Sequence, residues 1–294
     1  KKHVFISFLL IIAIPVIAFT QTCTALGQNP TTAFPVCGAT KFVQNSVALC
    51  GNRVIPTPCS DGGGYSDKNP YWYKFTCYVS GKLGFVITPA NLSDDYDWEL
   101  FDITGVNQMD VFTNKSLIVS ANWSGTYGVT GAGTAGKNAF ECSSVPSAMV
   151  PTFSIMPDII AGHEYLLLVS HFDDTQSGYA LSFQGGTASI VNPIIPVLDN
   201  AYAVCDGTQI VVSLNKRMNC NSLAADGSDF TVSGTIPNSI KSAVGKGCSL
   251  SFDTDSAILT LNTILSPGTY TITSALGTDG NTLIDNCGNL LAVG

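Results

Sequence analysis

The chain has 294 residues, of which 12% are charged, and its formal net charge at pH 7 is −8. A typical globular domain carries about 25% charged residues. An acidic chain with few lysines and arginines offers little to the phosphates of a nucleic acid, so we exclude nucleic acid as a partner. Glu occurs only at positions 99, 141 and 164, and the other eighteen acids are Asp. Because Asp favours turns and loops over helices, helix should be scarce.

The chain begins with the pattern of a secretory signal peptide. Two lysines precede an apolar run over residues 4–19, and polar sequence follows from Gln21. A charged start followed by an apolar centre is typical of a cleaved export signal. The run is shorter than the ~20 residues of a membrane-spanning helix. We expect residues 1–20 to be removed, with a membrane anchor or a lipid-modified Cys23 as the alternatives.

All ten cysteines lie beyond this segment: Cys23, Cys37, Cys50, Cys59, Cys77, Cys142, Cys205, Cys220, Cys248 and Cys287. An even number of cysteines in an exported chain favours disulfides, and without a C-x-x-C pair a zinc site is disfavoured. Closeness in sequence favours three pairs among the first six: Cys23–Cys37, Cys50–Cys59 and Cys77–Cys142. In the second half, Cys205 and Cys287 enclose Cys220 and Cys248, which predicts nested bridges.

Residues 21–192 predict a first β-domain. Short runs rich in aromatic and β-branched residues alternate with turn residues, at positions 71–76, 83–88, 98–102, 165–169 and 179–183. Many short strands of this kind indicate a jelly-roll-like β-sandwich. The domain should end near Asn192, because glycines at 185 and 186 and prolines at 193 and 196 interrupt the sequence there.

Residues 193–294 predict a second, smaller β-domain. Its alternating segments are separated by Asp-Gly and Pro-Gly turns and cover residues 209–214, 230–232, 240–244, 257–261 and 269–273. An immunoglobulin-like sandwich fits this spacing, although no Trp follows Trp123 to give the Cys–Trp–Cys pattern of antibody domains. The predicted fold class is therefore all-β: a jelly-roll-like β-sandwich followed by an immunoglobulin-like β-sandwich, after a cleavable signal peptide.

No catalytic motif stands out in the sequence. Residues 131–138 satisfy G-x-G-x-x-G, but Asn138 replaces the Ser or Thr of a phosphate-binding loop and no βαβ unit surrounds it, so we expect a glycine-rich surface loop. The serine elbow G-x-S-x-G is missing, and His163 is not followed by the second His of a zinc protease. His163 or His171 could still join a Ser and an Asp in space. We expect no catalytic residues and no organic cofactor in this chain.

Acidic residues crowd the turn before one predicted strand. Asp94, Asp95 and Asp97 repel one another unless solvent or a cation lies between them. Calcium takes six to eight oxygen ligands and is the extracellular candidate, and Asp173 and Asp174 form a second acidic turn that could converge on the first. Two interpretations stay open. One is a structural calcium site with these five residues as ligands, and the other is a solvated turn whose Asp side chains cap backbone amides.

Several strings of sequence in a fixed order resemble a known family. They are residues 68–77 (KNPYWYKFTC), 94–98 (DDYDW) with 100–105 (LFDITG), and 169–172 (VSHF) with 176–179 (QSGY). These strings resemble the N-terminal region of large gliding-motility-associated surface proteins exported by the bacterial type IX secretion system. The resemblance implies a signal peptide, a jelly-roll-like domain, further immunoglobulin-like or PKD-type repeats, and a C-terminal sorting domain, which this sequence does not contain.

A second resemblance covers the C-terminal region. Residues 213–218, 230–232, 267–271 and 279–281 are similar to bacterial immunoglobulin-like modules of surface-layer proteins and adhesins. Such modules are mostly spacers, and the resemblance supplies no catalytic residues.

We therefore expect a secreted cell-surface protein, carried out by the export machinery, whose first domain binds an extracellular glycan or protein and whose second domain is a spacer. Aromatic residues 71, 72, 73 and 75 could form a sugar-stacking platform, although core packing is the commoner use of aromatic residues in a strand. The alternative is an accessory N-terminal region of a secreted peptidase or glycosidase. Since the chain begins with Lys and Gly294 closes no evident element, we expect a longer protein, whose full sequence would discriminate the two.

Overall fold

The computed structural model describes residues 22–38, 41–143, 145 and 148–294, and the predicted signal peptide lies outside them. The described residues form strands and short 3-10 helices with no α-helix, which confirms the predicted all-β class. None of their helices has the length and apolar character needed to cross a membrane. The 3-10 helices include Pro30–Thr32, Gln108–Phe112, Lys115–Leu117 and Cys220–Ser222.

The first domain is a β-sandwich. Its strands are β1 (Phe34–Pro35), β2 (Phe42–Ser46), β3 (Gly51–Val54), β4 (Ser66–Lys68), β5 (Pro70–Thr76), β6 (Gly81–Lys82), β7 (Phe85–Pro89), β8 (Tyr96–Asp102), β9 (Ile118–Ser124), β10 (Thr130–Ala132), β11 (Phe140–Ser143), β12 (Phe153–Ser154), β13 (Asp158–Ile159), β14 (Glu164–His171) and β15 (Ser177–Phe183). One sheet has the order β1-β5-β14-β8-β9-β11 and the facing sheet the order β12-β10-β7-β15-β2. All five predicted segments of this domain lie in or overlap strands.

Alternation along the strands builds the core between the two sheets. Trp98 and Leu100 of β8 point inward and pack in one cluster with Phe85 of β7 and Leu181 of β15. The Phe85 and Trp98 rings meet edge to face at 4.8 Å. Side chains of a strand alternate between faces, so the single residue between Trp98 and Leu100 faces the other side of the sheet.

The outer face of the six-stranded sheet is also covered, which the sequence did not predict. Trp72, Phe101 and Trp123 on this face pack in a second cluster with residues of the 51–65 segment and of the helices Gln108–Phe112 and Lys115–Leu117. A disulfide between Cys59 and Cys142 joins the covering segment to the sheet edge at β11. Both faces of the central strands are therefore buried.

The second domain is a smaller pair of sheets around one core. Its strands are β16 (Leu198–Ala203), β17 (Gln209–Asn219), β18 (Phe230–Gly234), β19 (Ile240–Gly245), β20 (Asp253–Leu261) and β21 (Tyr270–Ser274). The order β16-β17-β20-β19 forms one sheet and β18-β21 the other. All five predicted segments lie in or overlap strands. The boundary at Asn192 stays a prediction, and this residue lies between β15 and β16.

The disulfide pairing differs from most of the predicted pairs. The observed bonds are Cys23–Cys50, Cys37–Cys287, Cys59–Cys142 and Cys220–Cys248. The inner bridge of the second half is thus confirmed, whereas the three predicted first-domain pairs and the Cys205–Cys287 pair are wrong. Partners are chosen by closeness in the fold, and Cys37 and Cys287 meet across a sequence separation of 250. Four disulfides are consistent with an oxidising, extracellular compartment.

Two cysteines that were predicted to pair are free. Cys77 is fully buried at the end of β5, where its thiol donates to the carbonyl of Val79 at 3.2 Å. Cys205 is exposed in the turn after β16. The prediction that all ten cysteines pair is therefore wrong for these two, because neither has another cysteine beside it.

Candidate functional site

The two predicted acidic turns meet at one end of the six-stranded sheet. Strands β8 and β14 are antiparallel neighbours, with Tyr96 opposite His171 and Asp97 opposite Ser170. The start of β8 and the end of β14 therefore lie side by side. This pairing brings the turn at 94–95 against the residues that follow β14, and we call the resulting group, Asp94, Asp95, Asp97, His171 and Asp173, the acid cluster.

Asp94 is buried with one carboxylate oxygen unsatisfied. Its Oδ1 accepts a hydrogen bond from Nδ2 of Asn91 at 3.0 Å. Its Oδ2 has no hydrogen-bond partner and lies 3.7 Å from Nε2 of His171. A buried polar atom without a partner costs free energy, so this oxygen marks a place where a proton donor or a cation would be stabilising.

Asp95 and Asp173 interact directly. The backbone N–H of Asp95 donates to Oδ2 of Asp173 at 2.6 Å, so the predicted capping of a backbone amide by an Asp side chain occurs here. Oδ1 of Asp95 has no hydrogen-bond partner. Burial, with the negative charge of Asp173 as a second cause, raises the pKa of Asp95 to about 7. The folded protein thus favours the protonated, neutral form of this carboxyl group more than water does.

Asp97 lies deeper in the sheet than the turn residues. Burial raises the pKa of its carboxyl well above the ordinary range, and the charges of Asp95 and Asp173 add to the effect. Its position in β8 is fixed by the ladder to Ser170. The sheet therefore fixes the backbone of Asp97 beside the two turns.

His171 was not among the predicted ligands, yet it lies in the middle of the acid cluster. Its ring is fully buried and stacks on the ring of Tyr96, with centroids 4.3 Å apart and planes 12° apart. Nδ1 has no partner, and the contact from Nε2 to Oγ1 of Thr175 is long, at 3.5 Å. Burial lowers the pKa of His171 despite the nearby charge of Asp94, which favours the neutral imidazole.

Asp174 lies apart from the other predicted ligands. Its carboxylate pairs with Nζ of Lys68 at 2.8 Å and its side chain is 82% exposed. Asp94, His171 and Asp173, by contrast, each offer one ligand atom, and these atoms all lie within 4.8 Å of one another. The structure therefore divides the five predicted ligands, and it adds an imidazole nitrogen that the sequence pattern did not indicate.

The glycine-rich segment at 131–138 is not a surface loop throughout. Gly131 and Ala132 belong to β10, where both are buried and pair with β7. A Cβ on Gly131 would lie 2.2 Å from the carbonyl oxygen of Phe85, so only glycine fits. The expectation of a glycine-rich surface loop is therefore wrong for Gly131 and Ala132, which pack closely against β7, and correct for residues 133–138, most of which are exposed outside any strand.

The aromatic strand does not form a sugar platform. Trp72 and Tyr73 are fully buried on opposite faces of the sheet, Phe75 is buried as well, and only Tyr71 is half-buried. Aromatic residues on β5 therefore serve the two cores, and the packing interpretation of this strand is correct.

An acid–base pair lies at the other end of the same sheet. Nδ1 of His163 and Oδ2 of Asp102 are 2.7 Å apart, and both side chains are partly exposed. Hydrogen bonds from Thr104 and from His163 lower the pKa of Asp102 against the effect of burial. Among the described residues, no serine, threonine or cysteine side chain hydrogen-bonds to the other ring nitrogen of His163, so the pair lacks the nucleophile of a hydrolase triad.

A cleft of about 430 Å³ lies between the two domains. Residues of β5 and the start of β14 line one side, and residues of β17 and the turn around Asp285 line the other. The covalent bond Cys37–Cys287 lies at the cleft, and Phe34 contacts Phe252 across the domains with ring centroids 4.7 Å apart. The width of the cleft is therefore held by a disulfide and by apolar contact.

The charges in this cleft fall into two groups. Lys216 pairs with Asp285 at 2.5 Å and Arg217 with Asp253 at 2.6 Å. Lys74 and Glu164 also line the cleft, and neither forms an ion pair with a described residue. The first group holds the wall that the second domain forms, while the second leaves a cation and an anion on the first domain with free hydrogen-bonding capacity.

Comparison with known proteins gives no family for this chain. No protein-family model, curated protein or solved structure matches it. The relation to gliding-motility surface proteins stays a prediction, and the cleft and the acid cluster are the two features of the molecule that bear on its function.

Proposed function

We propose that this chain is a non-catalytic glycan-binding module of an exported cell-surface protein, and that the cleft between its two domains holds the ligand. The observation that carries the proposal is the fixed interdomain cleft, in which the Cys37–Cys287 bond holds the walls together. Ligand sites occur preferentially at domain interfaces, and a preformed site avoids the cost of ordering on binding.

The lining suits a hydroxyl-rich ligand. Lys74 and Glu164 line the cleft together with Asn192, Asn215 and Asn286, whose amides already hydrogen-bond within the protein. A sugar hydroxyl both donates and accepts, so it can satisfy an ammonium group and a carboxylate together. The side chains of Val36, which is half-buried, and Ile194, which is exposed, also line the cleft and give the less polar face of a sugar ring a surface to pack against. This combination favours a short oligosaccharide over a purely apolar ligand.

The cellular setting of the proposal follows from the disulfides and from the sequence resemblance. Disulfides persist in oxidising compartments, which supports export. The resemblance to gliding-motility-associated surface proteins supports a place on the outside of a bacterial cell. The second domain would then act as both a wall of the cleft and a spacer.

A glycan array with neutral and acidic oligosaccharides tests the proposal, with immobilised matrix proteins as the competing ligands. The chain from residue 21 onward is used with its disulfides intact. We expect binding to an oligosaccharide, and we expect Lys74→Gln and Glu164→Gln each to weaken it about tenfold, the effect of losing one charge-assisted hydrogen bond. The matched control is Lys241→Gln on the exposed surface of β19, which should bind as the parent does.

Two outcomes would overturn the proposal. One is binding to matrix proteins with no oligosaccharide bound. The other is oligosaccharide binding that both cleft variants leave unchanged, since the ligand would then lie elsewhere on the molecule.

A further inference from the structure

Three side chains of the acid cluster point toward one small volume. The ligand atoms of Asp94, His171 and Asp173 lie within 4.8 Å of one another, and Oδ2 of Asp94 is 3.7 Å from Nε2 of His171. Around a tetrahedral zinc ion with bonds of 2.0 to 2.1 Å, ligand atoms are roughly 3.3 Å apart. Side-chain shifts of about 1 Å would therefore close the set on an ion.

The buried, unpartnered atoms indicate that a ligand belongs here. Asp94 is 2% exposed, and the hydrogen bond from Asn91 holds only one of its two oxygens. The other oxygen has no partner and faces His171, itself fully buried with Nδ1 unpartnered. Buried polar atoms in folded proteins nearly always have a hydrogen-bond partner, so a buried carboxylate oxygen without a donor needs an explanation. A cation supplies one.

Other contacts hold the three side chains in place. The backbone N–H of Asp95 holds one oxygen of Asp173 at 2.6 Å, and the ring of Tyr96 stacks on that of His171. Outer contacts of this kind orient ligands in metal sites and fix their geometry. The free carboxylate oxygens and the imidazole are therefore preorganised for binding an ion.

The donor set selects the class of ion. Calcium takes six to eight oxygens, whereas this group offers one imidazole nitrogen and two carboxylates. Imidazole suits zinc and neighbouring transition metals, and zinc binds more tightly than manganese in a site of this kind. The carboxyl groups of Asp95 and Asp97 lie near the group, since both interact electrostatically with Asp173.

We propose that Asp94, His171 and Asp173 bind a divalent transition-metal ion, with zinc as the preferred ion, and that this site ties the start of β8 to the residues following β14. The site is separate from the interdomain cleft. Its function is to fix this end of the sandwich.

The test uses the disulfide-intact chain after treatment with a chelator, with Zn²⁺, Mn²⁺ or Ca²⁺ added back. Thermal unfolding should shift upward by about 5 °C at a zinc concentration well above the dissociation constant, because an ion that binds only the native state stabilises it. Calcium at the same concentration should give a smaller shift. Titration calorimetry should show one zinc ion bound per chain.

Isosteric variants locate the ion. Asp94→Asn should lose the zinc-dependent shift and weaken zinc binding at least tenfold, and the matched control Asp174→Asn, next to Asp173 but with an exposed side chain, should retain both. If Asp94→Asn does not fold, Asp173→Asn takes its place. Absorption of the cobalt-loaded chain provides a second readout, since loss of a ligand changes the visible bands of cobalt.

The results that would overturn the zinc site can be told apart from each other and from a failure of the interdomain cleft to bind an oligosaccharide. No stabilisation by zinc, or an equal shift in Asp94→Asn and the parent, removes the site. A larger shift with calcium than with zinc assigns the acid cluster to calcium instead. Oligosaccharide binding by the chelated chain is a separate measurement, so it cannot hide any of these results.

Discussion

Two regions of this protein bury carboxylates, and they do so in opposite ways. At the domain junction, Asp285 meets Lys216 at 2.5 Å and accepts further hydrogen bonds from Asn289. In the acid cluster, Asp95 and Asp97 face other carboxylates. The hydrogen bonds from Lys216 and Asn289 lower the pKa of Asp285 despite its burial, whereas burial raises the pKa of Asp95 to about 7.

The contrast separates a structural charge from one that needs a partner. A buried ion pair with satisfied oxygens holds two segments in register. Removing one member leaves the other charge buried without a partner, so its full desolvation penalty lowers the stability of the fold. A buried group of like charges gains stability only from protons or a cation. Removing one charge should therefore lower the free energy of unfolding at the junction and raise it in the acid cluster, and the following substitutions test this from the largest effect to the smallest.

The largest change in the free energy of unfolding, a decrease, is expected at the domain junction. Lys216→Met removes the ammonium group from Asp285 and from the carbonyl of Ile194, which it reaches at 2.8 Å, and leaves a buried charge. Breaking a buried pair in this way costs about 3 to 5 kcal/mol. Urea unfolding at pH 7 measures the loss. The double variant Lys216→Met/Asp285→Asn is the control and should recover part of it, and a loss below about 1 kcal/mol for Lys216→Met would contradict the assignment.

In the acid cluster, removing a charge is expected to raise the free energy of unfolding. Asp97→Asn in chelated protein at pH 7 removes one of several repelling carboxylates, and we expect the free energy of unfolding to increase by about 1 to 2 kcal/mol. The same urea titration measures it. A decrease would mean that the Asp97 charge has a favourable partner, and the contrast between the two regions would then fail.

A weaker version of the same effect is expected in the second domain. Burial raises the pKa of Asp229 from 3.8 to about 6, and its Oδ1 has no hydrogen-bond partner. The folded state therefore holds this proton more tightly than the unfolded state, so its stabilising contribution is complete below pH 4 and is lost as the pH rises to about 6.

Asp229→Asn removes this pH dependence. Relative to the parent, it should raise the free energy of unfolding at pH 7 by less than about 1 kcal/mol, once solvent screening is included, and leave it unchanged at pH 4. Thermal unfolding at the two pH values measures the difference. An equal effect at both would show that Asp229 does not titrate in this range.

The smallest effect is expected at an exposed pair. Lys82 and Asp158 are 2.6 Å apart, but their side chains are 50% and 74% exposed. Lys82→Gln should change the free energy of unfolding by no more than about 0.5 kcal/mol, because solvent screens an exposed ion pair. A loss as large as that of Lys216→Met would show that burial does not decide the value of a pair in this protein.

Local pattern predicted the strands well. Runs of alternating apolar and polar residues, such as residues 179–183 in β15 and 209–214 in β17, lie in strands because one face of each is buried and the other is less so. The covered outer face of the six-stranded sheet was missed. The helices that cover it, Gln108–Phe112 and Lys115–Leu117, are too short to give a periodic pattern in the sequence. The apolar residues Trp72 and Phe101 are equally compatible with a sheet that has a single buried face, although they lie in a second core.

Contacts between distant segments were not predictable in the same way. The two acidic turns were expected to converge, and they do, because both flank strands that pair. His171 was missed as a ligand because a lone histidine at the end of a strand carries no spacing signal, and only its register opposite Tyr96 brings it to Asp94. The Cys37–Cys287 bond was missed for a related reason, since sequence proximity cannot indicate how two domains pack.

That last bond has a mechanical consequence. A pull applied to the chain just before Cys37 and after Cys287 is carried by one covalent link, so most of the intervening chain, a sequence separation of 250, bears no tension. Strands β3 to β21 and the acid cluster lie in this unloaded part, whereas β1 lies before it and β2 lies within the span bridged by Cys23–Cys50. In the cell-surface setting proposed above, a force along the protein would therefore leave these strands folded.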